Sequence, residues 1–146
     1  MSEHDQLPAL TVFAPMSWAI VAGYKDRENR FRDPGYRGPL AIHAGAEVKE
    51  RWLNYPSIQT AIADYRRTHG GLEPEFAKRA IVGIVRLVGA HQAAPGGCCK
   101  PWGMDDSWHL ELTDAVELRR PISMRGQQGL WTVPAQTASF LLEQLP

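Results

Sequence analysis

The sequence predicts an α+β domain in which short strands curl into a small mixed barrel flanked by helices. Residues 108–112, 116–118, 122–125 and 130–133 are short apolar segments separated by turn residues, a succession typical of a closed or half-closed barrel. Residues 80–90 form the longest β-prone run, and the β-branched content of Ile81, Val82, Ile84, Val85 and Val88 suits a strand in the middle of a sheet. At 146 residues the chain can bury a core as one domain without help from disulfides or metals.

Each element has a local reason. Residues 9–13 are β-prone, and Pro15 then opens a helix that runs to about Ala22, because the first helical turn does not need the missing backbone N–H. Gly23 ends that helix. Residues 25–31 read as an exposed extended segment that leads into a turn at Arg32-Asp33-Pro34-Gly35. The apolar run 40–44, bounded by Gly38 and Gly45, suits a buried strand. From 48 to 68 the spacing is helical and broken at Pro56; Ile58, Ala61, Ile62 and Tyr65 share a face of the second piece, with Ser57 as its cap and Gly70-Gly71 as its end. Residues 72–78 read as a further short helical turn. Gly83 within the central run marks a bulge or a close approach. Residues 92–106, rich in Gly and Pro, read as a long loop, and residues 135–145 as a closing helix with Phe140, Leu141 and Leu145 on one side.

Composition narrows the function. Sixteen Lys and Arg balance sixteen Asp and Glu, so no global field draws the chain onto nucleic acid, and any such contact is local. Lys25, Arg27, Arg30, Arg32 and Arg37 crowd into one stretch and make a candidate anion-facing surface. No apolar run approaches the roughly 20 residues that cross a bilayer, and residues 1–8 lack the basic-then-apolar character of a signal peptide. The expectation is one cytoplasmic domain over 1–146, with its core over about 9–133 and a helix over about 135–145, that makes no membrane contact. The two cysteines, Cys98 and Cys99, are adjacent, a spacing that neither staples distant segments nor easily ligates one metal. Free thiols, no metal and no cofactor are expected, although His91 and His109 flank them at a distance.

The stretch Gly23-Tyr24-Lys25-Asp26-Arg27-Glu28-Asn29-Arg30 concentrates the chemistry. Alternation along an extended segment puts Glu28 and Arg30 on one face and Lys25 and Arg27 on the other, unless the turn at Gly23 rotates the start. A Lys25 brought round to Glu28 is either a structural ion pair, with Arg30 on the same carboxylate, or a partly desolvated lysine that binds phosphate or moves a proton.

Read as G-x-K-x-x-E-x-R, this stretch resembles the signature of the ASCH domain family, whose members share a PUA-like β-barrel. The run from Tyr36 to Ala44 looks like the family's following strand, residues 81–88 like its central strand, Trp108-His109-Leu110-Glu111-Leu112 like the next, and the run from Arg125 to Trp131 like the closing one. Many relatives carry Arg-Gln-Pro-Trp before the first helix, where this chain has Phe13-Ala14-Pro15-Met16.

The resemblance implies a single ASCH domain that takes RNA or a modified nucleoside in the groove beside the motif. Single-stranded nucleic acid needs cations along a groove and aromatic faces for stacking. The candidate ligand-binding residues are Trp18, Tyr24, Lys25, Arg27, Glu28, Arg30, Tyr36, Arg37 and Arg125, with Lys100 and Trp102 on the long loop. The resemblance also implies an alternative, a hydrolase on the same site, similar to N4-acetylcytidine amidohydrolases or to a ribonuclease, with Lys25 and Glu28 as catalytic residues. The amidohydrolases carry threonine where this chain has Glu28, and the carboxylate of their central strand has no counterpart in residues 81–88. His43, on a buried strand, reads as a hydrogen-bonded core histidine, and Trp108 and Trp131 as core.

Overall fold

The computed structural model describes residues 6–146; residues 1–5, part of the N-terminal stretch read above, lie outside it. The order of elements is β1 (Pro8–Ala14), α1 (Met16–Val21), β2 (Arg27–Arg30), β3 (Gly38–Val48), a 3-10 turn (Glu50–Asn54), α2 (Pro56–Thr68), β4 (Ala80–Gln92), β5 (Trp108–Ser123), β6 (Leu130–Thr132) and α3 (Ala135–Gln144). The strands form one six-stranded sheet in the order β2-β5-β4-β3-β1-β6, which makes the fold α+β. Among the described residues only the β1–β3 pair is parallel, with Leu10 opposite Ile42. Among the described residues, too, no helix is long and apolar enough to cross a membrane.

Alternation along the strands explains how the sheet is covered. Leu10 and Val12 of β1 and Leu40, Ile42 and Ala44 of β3 point into one apolar layer, closed by Ile20 and Val21 of α1. Ala9 and Ala41 point the other way, into a layer with Ile81, Ile84 and Trp131 that is closed by Ala138 and Leu141 of α3. Both faces of the central strands are thus buried, which is why β4 reads as a continuous apolar run. Gly83 has both properties expected of it. The β4–β5 register shifts between Ile81 and Gly83. An added Cβ there would run into the Val116 carbonyl and come within 2.6 Å of Val21 Cγ1. Glycine is what lets α1 lie down on the sheet.

Several local expectations are corrected. Of the closed and half-closed alternatives, the closed one is ruled out: β2 and β6 stand at opposite ends of the strand order and do not pair. Residues 108–125, expected as three short strands, carry one strand of 16 residues, β5, which tolerates its turn-like residues through register shifts and a left-handed Asp114 (φ 55°). Residues 72–78 are not helical. The residue at the N-cap position of α2 is Tyr55, not Ser57, because Pro56 occupies the first helical position, and the Tyr55 side chain makes no capping bond. On α3, Leu141 is buried but Phe140 is half exposed.

Candidate functional site

The motif begins at a tight turn. Gly23 N–H bonds the Ile20 carbonyl, and the N–H groups of Tyr24 and Lys25 both bond that of Ala19, so the chain reverses beneath α1 before β2 starts. This rotation carries Lys25 onto the face of Glu28. Lys25 Nζ lies 3.7 Å from Glu28 Oε1, and Arg30 Nη2 lies 3.0 Å from Glu28 Oε2. The segment expected to be exposed is therefore buried at Lys25, which is 4% exposed, and at Glu28, which is 8% exposed, while Asp26 stays at the surface. Burial pushes the Lys25 ammonium below its ordinary pKa, against the opposing pull of the Glu28 and Asp26 carboxylates. The ammonium also donates to the Arg27 carbonyl and sits 5.5 Å from the centre of the Trp102 ring.

These side chains do not close the site off. Lys25, Glu28 and Arg30 line a cavity of about 520 Å³ whose other walls include Phe13, Arg51, Trp52 and Trp102. The cavity lies in the gap between β1 and β2, which do not pair. Arg30 reaches across that gap and donates to the Thr11 carbonyl of β1 at 3.1 Å. On the far side of Arg30 a second cavity of about 980 Å³ is lined by Phe31, Arg32, Leu110 and Gln128, and the two share Thr11, Phe13 and Arg30. Phe31 is fully exposed beside it.

The remaining predicted residues lie elsewhere. Trp18 is buried against Tyr24, Tyr65 and Phe76, so its ring is core. Tyr24 donates to Asp64 of α2, and burial followed by that bond pushes its hydroxyl up to about 12. Tyr36 donates to the Pro39 carbonyl, and Arg37 forks onto Asp33 at the surface. Arg27 bonds the Asp26 carbonyl outside the cavity, Lys100 pairs with Asp105, and Arg125 lines a separate hollow beside His43. His43 is satisfied, bonded to Thr11 Oγ1 and to the Met124 carbonyl.

Sequence reading missed Arg51, Trp52, Phe13 and Phe31. Trp52 and Arg51 come from the 3-10 turn, and nothing in their local spacing ties them to the motif. Trp102 is held over Lys25 by Asn29, whose side chain donates to the Trp102 carbonyl and accepts from the Met104 N–H. The same loop brings Cys98 and Cys99 against His91 and His109, with the four donor atoms within 4.8 Å of one another. Their meeting differs from the sequence expectation and follows from register, since His91 and His109 are directly opposed on β4 and β5.

No protein-family model and no curated protein matches the sequence. Solved structures do match over nearly its whole length. The ASCH protein of Zymomonas mobilis superposes with a TM-score of 0.56 at 14% identity, covering 97% of each chain. A point variant of that protein gives 0.55 at 14% identity, covering 96% of this chain and 99% of that one. At that identity the likeness concerns the fold alone: the chain has the α+β fold of the Zymomonas mobilis ASCH protein, in agreement with the expected fold class.

Proposed function

We propose that the chain recognises single-stranded RNA, or a modified nucleobase within it, in the groove that runs along both sides of Arg30. The observation that carries this reading is the composition of that groove. Lys25, Arg30 and Arg51 supply positive charge, while Trp52, Trp102 and Phe31 supply aromatic surface along one continuous depression. Two cavities joined at Arg30 suit a ligand of more than one nucleotide. Glu28 keeps Lys25 and Arg30 aligned, and its carboxylate offers an acceptor to an exocyclic amine of a base. The ASCH-type fold supports the same class of ligand.

The test is binding of a labelled short single-stranded RNA, followed by fluorescence anisotropy over a range of salt. Association is expected at low salt, weakening as salt rises because phosphate contacts release counterions, and weakening further in Lys25→Ala and Arg51→Ala. No association at low salt, or association unchanged by both substitutions, rejects the proposal.

A second reading, hydrolysis at the same site, is favoured by one observation: burial lowers the Lys25 pKa beside a carboxylate. Lys25 would act in proton transfer, with Glu28 as the base, since Arg86 is the only ionisable side chain in residues 81–88 of β4. Incubation with N4-acetylcytidine and with single-stranded RNA decides it. Turnover above a Lys25→Ala/Glu28→Ala control supports it, and none removes it.

A further inference from the structure

The loop of residues 93–107 leaves the end of the β4–β5 ladder and folds back on it, placing four soft donors around one point. His91 Nε2 and His109 Nδ1 are 3.2 Å apart, Cys98 Sγ is 3.7 Å from each of them, and Cys99 Sγ is 3.3 Å from His91 Nε2 and 3.2 Å from Cys98 Sγ. A tetrahedron with metal–nitrogen bonds of about 2.05 Å and metal–sulfur bonds of about 2.3 Å has donor–donor edges of roughly 3.4–3.8 Å. Those five edges fall close to that range, and the sixth, between Cys99 Sγ and His109 Nδ1, is no longer than 4.8 Å.

The outward-facing atoms explain why these nitrogens are free to bind. His109 Nε2 lies 2.7 Å from the Met104 carbonyl, which can only accept, so this nitrogen carries the ring proton and Nδ1 presents a lone pair. His91 Nδ1 lies 2.9 Å from Glu111 Oε2, so it too donates outward and turns Nε2 toward the sulfurs. The two inward nitrogens therefore face each other 3.2 Å apart, beside both sulfurs. A proton added to His91 Nε2 would serve one edge at a time, whereas a cation at the centre serves all four donors together. An imidazole whose other nitrogen is held by a carboxylate or carbonyl is the usual support of a metal-bound histidine.

Adjacent cysteines ordinarily point apart, which is why their spacing argues against a shared metal. Here Cys99 adopts a left-handed conformation (φ 62°), which breaks the alternation and returns its sulfur to the side of Cys98. His109 is fully buried, and the other three ligands are half exposed, so an ion has a route in.

We propose that His91, Cys98, Cys99 and His109 form a Cys2His2 site for Zn2+ that clasps the 93–107 loop to the sheet and so holds Trp102 over Lys25. Thiolate and imidazole donors select Zn2+ over hard cations, and four protein ligands leave no open position, as in a structural site. Cysteine binds as the thiolate and histidine as the neutral imidazole, so uptake of the ion displaces to solvent the protons these groups hold.

The test uses the full chain, reduced and folded, titrated with Co2+ as a spectroscopic stand-in and with Zn2+ in competition. One equivalent of Co2+ is expected to give the intense visible bands of a tetrahedral thiolate complex, and Zn2+ to abolish them. Cys98→Ser and Cys99→Ser should each weaken the thiolate bands and their combination should remove them, and Glu111→Gln should weaken Zn2+ binding about 10–100-fold while keeping the spectrum. Hydrogen exchange should slow across residues 93–107 when Zn2+ is added to the unsubstituted protein. Failure of the reduced protein to take up either metal overturns the proposal, as do bands that survive loss of both cysteines. Recovery of a Cys98–Cys99 disulfide that forms equally fast with and without Zn2+ also overturns it.

Discussion

Glu28 serves Lys25 and Arg30 at once: one carboxylate oxygen lies 3.7 Å from the Lys25 ammonium and the other 3.0 Å from the Arg30 guanidinium. Removing that charge strands a buried cation, a change that costs about 3–5 kcal/mol when the partner cannot escape. Lys25 can release its proton, so Glu28→Gln is expected near the lower end, about 3 kcal/mol, read from urea denaturation. Lys25→Met combined with Glu28→Gln should recover part of that loss, because no lysine then remains to be stranded.

The lowered pKa of Lys25 has a signature in alkaline solution. Between the depressed folded pKa and the ordinary value of 10.5, the unfolded chain holds a proton at this residue that the folded chain has lost. Stability carried by Lys25 therefore rises with pH through that window, and the cost of burying its charge is felt in full below it. Lys25→Met should flatten this rise. The check is the difference in Tm between the two proteins, followed from neutral to alkaline pH.

Phe31 and Arg51 separate stacking from charge. Phe31 is fully exposed, so Phe31→Ala should change stability by less than about 0.5 kcal/mol. It should nevertheless weaken RNA binding by about 1–3 kcal/mol, the worth of one stacked base. Arg51→Ala should instead reduce the slope of log K against log salt by about 0.7, the loss of one phosphate contact to a single strand. Anisotropy titrations at several salt concentrations read both effects.

Gly83→Ala tests how α1 is seated. The new methyl would press on the Val116 backbone carbonyl as well as on Val21, and a backbone group in a paired strand cannot move aside as a side chain can. Overpacking of this kind should cost about 1–3 kcal/mol, measured by chemical denaturation.

Much of the fold was legible because its signals are local. The β-branched run of β4 and the Pro15 and Gly23 that bracket α1 each announce themselves within a few residues. β5 was not legible as one strand, since Asp114 and Pro121 look like breaks, and only pairing with β4 carries the chain through them. The site divides in the same way. Lys25, Glu28 and Arg30 are near neighbours in sequence, whereas Arg51, Trp52 and Trp102 reach them only through the 3-10 turn and the Asn29 bonds to the loop. The opposition of His91 and His109 is a fact of strand register, which residue spacing across a long loop does not encode.

Arg30 is also the tie across the barrel's unpaired flank, through one bond to Thr11 where a strand ladder would use several. A phosphate bound in the proposed groove that turned the Arg30 guanidinium toward itself would compete with that bond. On the proposed reading, capture of an anion and slackening of the flank would be coupled through one side chain.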